Sequence, residues 1–85
     1  MSLTLIANWK LHGSKSFSRD WLNSSNDSYE GSSLSSIGIA PPSILIDDLA
    51  KLIDNSGISI GSQNVDNFPS GARTGEISAE MVADV

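Results

Sequence analysis

The chain has no cysteine, a single histidine and only five lysines and arginines among its 85 residues. Without thiols there is no disulfide framework and no thiolate metal site, and a reducing, cytoplasmic setting is the expectation. Charged residues make up only 18% of the chain, and acids outnumber bases to give a formal net charge of -5. No basic stripe is available to release counterions from nucleic acid or to hold an anionic membrane, so neither is expected as a partner. Long apolar runs are missing too. The apolar start Leu3-Thr4-Leu5-Ile6-Ala7 is cut by Asn8 and Lys10, too early for a signal-peptide core or a membrane span.

What remains is a globular composition, 39% hydrophobic, long enough for one small domain with a core near the marginal end of the size range. An anionic small ligand would have to be held by local positive charge against the global field. Only Lys10, Lys15, Arg19, Lys51 and Arg73 can supply it.

Lys10 has the most informative position. Residues 3–8 form a short apolar run of the kind a buried parallel strand needs. Side chains alternate along a strand, so Asn8 and Lys10 are expected on one face and Trp9 on the other. An amide beside an ammonium at the carboxyl end of a strand can hold an anion and polarise an oxygen, and α/β sheets bind ligands at that end. Alone, the pair reads more readily as a turn former followed by a solvated lysine.

Further along, Ser14 or Ser16 can cap a helix spanning about 17–29, with Phe17, Trp21 and Leu22 at helical spacing. Serines and asparagines between them weaken that helix by competing for its backbone. A serine-rich connector runs from Gly31 to Ser36. A second strand is expected at 37–40, ended by Pro41-Pro42. A helix over 43–54 follows, with Ile44, Ile46, Leu49, Ala50, Leu52 and Ile53 on a broad apolar face. Asn55-Ser56-Gly57 is a stop signal. A third strand is expected at 58–62, then a long polar loop over 65–77, and a last helix over 78–85 capped by Ser78. The order is βαβαβ-loop-α, the spacing of right-handed βαβ units in a parallel sheet.

Ala7-Asn8-Trp9-Lys10 resembles the first-strand terminus of the triosephosphate isomerase family. Ala40-Pro41-Pro42-Ser43, Gln63-Asn64 and the run from Ser70 to Met81, which holds Arg73-Thr74-Gly75-Glu76-Ile77-Ser78, extend the resemblance in the right order over the whole chain. It implies a (β/α)8 barrel, of which residues 1–85 would be the amino-terminal part with about three βα units. It also implies isomerisation of dihydroxyacetone phosphate and glyceraldehyde 3-phosphate through an enediol(ate), in glycolysis and gluconeogenesis, without metal or organic cofactor.

By that resemblance Lys10 binds the substrate phosphate and neutralises the developing oxyanion, and Asn8 hydrogen-bonds the substrate oxygens. Gln63 and Asn64 support the site. The loop over 65–77 is then a homodimer arm carrying Arg73, Thr74, Gly75 and Glu76, with Thr74 steadying the neighbour's Asn8. Two positions depart from the family pattern. Leu11-His12-Gly13 stands where Met-Asn-Gly is common, and Arg73 stands where an aromatic residue or histidine is common.

Such a barrel takes about 250 residues, so three strands are a minority of it. The family's glutamate base and histidine electrophile are expected beyond position 85, and this family is itself the standard illustration of that pairing. The 85 residues alone are therefore expected to be inactive, with an inner apolar sheet face and two strand edges open to water. The alternatives are a different phosphate-handling barrel, or a non-catalytic, self-associating module of the same ancestry.

Overall fold

Residues 3–29, 36–53 and 57–85 are described by a computed structural model. The connector beginning at Gly31 and the Asn55-Ser56 stop signal lie outside them. The elements are β1 (Thr4–Asn8), α1 (Lys15–Tyr29), β2 (Ser36–Ala40), a 3-10 turn (Ser43–Leu45), α2 (Ile46–Leu52), β3 (Ile58–Ile60) and α3 (Ala79–Asp84). The strands form one parallel sheet in the order β1-β2-β3. Asn8 lies level with Ala40, and Ile39 with Ile60. Strand, crossover helix and neighbouring parallel strand in succession are the repeating unit of a (β/α)8 barrel.

The helices lie on one face of this sheet because that face carries the branched apolar side chains. Ile39 and Ile58 join Trp9, Leu22, Leu45, Leu49 and Ile53 in one buried cluster, with Ile37 and Ile60 packed against it. Leu49 is wholly buried and Ile39 nearly so. Burying each such side chain contributes roughly 1.5–3 kcal/mol.

The opposite face is not the apolar surface expected. Gly38, Ser59 and Ile6 share it, since a Cβ on Gly38 would lie 3.6 Å from the Ser59 carbonyl oxygen and 3.7 Å from Ile6 Cγ1. Thr4 and Ser36 meet there through their hydroxyls at 2.8 Å. Ile6 is the one large apolar side chain in that set, and it is 66% exposed.

Helix α1 begins two residues earlier than the periodicity suggested, because Ser14 Oγ accepts from the Phe17 N–H at 3.1 Å. Serine also enters the helix interface. Ser18 is fully buried, and its hydroxyl donates to the Ser14 carbonyl at 2.7 Å. Over its described residues, 43–53, the helix expected at 43–54 is not one continuous α-helix. The Leu45 N–H donates to the Pro42 carbonyl at 3.0 Å, making the 3-10 turn, and α2 follows.

Ile44 is 88% exposed rather than on the packed face. It precedes Ile53 by about two and a half helical turns, and so falls on the opposite side. β3 ends at Ile60, although the Gly61 N–H still reaches the Ile39 carbonyl at 3.0 Å. Helix α3 starts where expected: Ser78 Oγ accepts from the Met81 N–H at 3.2 Å.

Candidate functional site

The carboxyl end of β1 is tied to that of β2 by the Trp9 N–H, which donates to the Ala40 carbonyl at 3.0 Å. Trp9 then turns into the core, edge-on to Phe17 at 5.1 Å and to Trp21 at 5.6 Å. This is the face expected for it. Lys10 does not continue the strand. Its φ is 56°, and it is the only non-glycine residue with positive φ among those described. Its N–H donates to Asn8 Oδ1 at 2.9 Å, closing an Asx-turn.

A left-handed lysine costs roughly 1–2 kcal/mol and persists only where its surroundings hold it. Gln63 provides the second hold. Its Nε2 donates to the Lys10 carbonyl at 2.8 Å and to the Ala40 carbonyl at 3.0 Å. One side chain from the end of β3 thus fastens the ends of β1 and β2. Gly13, at φ 123°, brings the loop back against the core so closely that a Cβ would lie 3.0 Å from Leu45 Cδ1 and 3.2 Å from Trp9 Cε3.

The structure therefore brings Asn8, Lys10 and Gln63 together. Asn64 follows as an exposed loop residue. The Lys10 N–H uses one acceptor position of Asn8 Oδ1, and the Nδ2 donors of the same amide can serve a ligand. Among the described residues, Lys51 pairs with Asp47 at 3.3 Å and Arg73 with Asp66 at 2.6 Å. Lys10 makes no ion pair among the described residues. An ammonium and an amide donor at a strand end can bind an anion and lower the energy of an oxygen gaining negative charge.

The arm over 65–77 is a second, separate construction. The Asp66 N–H donates to the Ile77 carbonyl at 2.7 Å, and Asp66 and Ser78 form a parallel bridge. Arg73 Nε donates to Asp66 Oδ2, and its guanidinium lies over the Phe68 ring, 4.7 Å from the centroid. The Phe68 N–H donates to Asp66 Oδ1 at 2.9 Å. The Arg73 bond, with help from the Phe68 amide, holds the Asp66 carboxyl below its ordinary value.

Arg73 thus turns back into the arm, whereas Thr74, Gly75 and Glu76 stay exposed on it. Gly75, at φ 87°, has the backbone that the turn requires. Sequence reasoning missed Asp66 and Phe68. The Asp66-Asn67-Phe68-Pro69 string carries the Asx-turn signal that could have found them.

Among the described residues no helix is long and apolar enough to cross a membrane. None of their acidic or histidine side chains is grouped in a set that could hold a metal ion. The sequence profile of triosephosphate isomerase matches residues 3–85. The chain is 38% identical over 80 residues to triosephosphate isomerase of Histophilus somni (strain 2336), covering 94% of this chain and 31% of that protein. It is 39% identical over 82 residues to that of Vibrio cholerae, covering 94% and 32% respectively. It is 42% identical over 81 residues to that of Xylella fastidiosa (strain M23), covering 95% and 32%. The chain thus spans about a third of the length of the curated relatives it matches.

Proposed function

The chain belongs to the triosephosphate isomerase family, and from that premise we propose that the protein interconverts dihydroxyacetone phosphate and glyceraldehyde 3-phosphate. The reaction passes through an enediol(ate), needs no metal or organic cofactor, and serves glycolysis and gluconeogenesis in the cytoplasm. Lys10 binds the phosphate and offsets the charge that grows on the substrate oxygen, while the Asn8 amide donates to the substrate oxygens. Gln63 and Asn64 support that terminus.

The supporting observation is Lys10 itself. The backbone of Lys10, left-handed and held by Asn8 and Gln63, sets where its side chain leaves the strand end. Residues 1–85 form the opening of one barrel domain, and the arm over 65–77, which carries Arg73, presents Thr74, Gly75 and Glu76 to a second copy in a homodimer.

The described residues hold three strands of a fold that closes with eight, and the 85 residues by themselves are inactive. A second proposal, a self-associating module, draws on Leu5 and Ile6 of β1, which are 53% and 66% exposed. The experiment is an isomerisation assay with dihydroxyacetone phosphate on the natively expressed protein, run beside the isolated 85-residue piece. Turnover by the native protein alone is the expected outcome. Concentration-dependent assembly of the native protein without turnover favours the module, and turnover by the isolated piece overturns the claim that three strands are too few.

A further inference from the structure

We infer that the arm is a self-closed strap, in which Arg73 and Phe68 fold onto Asp66 within one chain and set the Thr74-Gly75-Glu76 apex before it meets any second surface. This rests on the proposal that residues 65–77 dock on a second copy of the chain. It adds that the docking shape is built in cis, and that Arg73 is a positioning residue for an apex it does not occupy.

The strap is tied at two levels. At its base the Asp66 N–H reaches the Ile77 carbonyl, so the ends of the loop are already joined. Above the base both Asp66 oxygens are used, Oδ2 by Arg73 Nε and Oδ1 by the Phe68 N–H. The guanidinium also covers the Phe68 ring, so three side chains close on one another across the loop. The Asp66 side chain is only 5% exposed, unlike the solvated carboxylates of ordinary surface pairs.

The apex follows from that closure. The Arg73 N–H donates to the Gly71 carbonyl and the Glu76 N–H to the Arg73 carbonyl, which places a turn on either side of the clamped residue. Fixing Arg73 therefore fixes both turns. A loop ordered in advance does not lose that freedom on docking, so its affinity depends on residues away from the contact.

Amide hydrogen exchange across 67–76 tests the strap on the natively expressed protein, at a concentration where sedimentation finds monomer and again at a higher one. The Phe68, Arg73 and Glu76 amides should already be protected in the monomer. Arg73→Gln should speed their exchange by about tenfold, Arg73→Lys should restore part of the protection, and the β2 amides should serve as an unchanged reference. Protected amides in a chain that never dimerises support the strap and sink the second-copy proposal. Amides unprotected in the monomer and protected only in the dimer overturn the strap and leave that proposal standing. Exchange unchanged by Arg73→Gln in monomer likewise overturns the strap.

Discussion

The end of β1 and the arm both bend the chain sharply, but they hold the bend by different means. At the strand end the hold is mostly backbone: the Lys10 and Ala40 carbonyls accept from one Gln63 amide, and the Lys10 N–H is taken by Asn8. The ammonium of Lys10 is spent on none of this. In the arm the hold is charge itself, since Arg73 gives its guanidinium to Asp66 and Phe68. A cation that is to meet a ligand must be positioned by something other than its charge. A cation that builds a loop is consumed in doing so.

Lys10→Ala should show the largest effect, a fall in kcat/KM of roughly 100-fold or more in the native protein. The circular dichroism should not change, because Lys10 enters the turn through its backbone alone. Gly13→Ala comes next. The positive φ and the 3.0 Å approach to Leu45 should cost about 1–3 kcal/mol, read as a lowered denaturant midpoint. Gln63→Leu leaves the Lys10 carbonyl without its donor. It should lower kcat by about tenfold through misplacement of Lys10, and an effect confined to KM would count against that positioning.

Acid should produce the smallest effect, and in the arm only. The folded-state value of Asp66 is lowered, so its contribution is complete above the ordinary carboxylate range and lost as pH falls through the lower folded value. Arg73 and Glu76 line the same hollow as Asp66. Arm amides should therefore keep their protection from neutrality down to the carboxylate range and lose it below. Loss of protection while Asp66 is still ionised would contradict this dependence.

Much of the fold was legible because local signals and packing agree. Ile37, Ile39, Ile58 and Ile60 read as strands and pack as strands, and Ser78 reads as a cap and is one. The errors share a cause: a regular period was extended past the point where the backbone leaves it. Strand alternation was carried through to Lys10, where φ is 56°. The Asp66–Arg73 pair spans a turn that no periodicity describes.

The proposed role of the Lys10 ammonium is to hold an anion at the strand end. The most direct measurement is a phosphorus NMR titration of inorganic phosphate against the native protein and its Lys10→Ala variant. Loss of that charge should weaken phosphate binding by about tenfold or more, while Arg73→Gln leaves it within about twofold of the parent. Equal binding by the parent and Lys10→Ala would contradict the account.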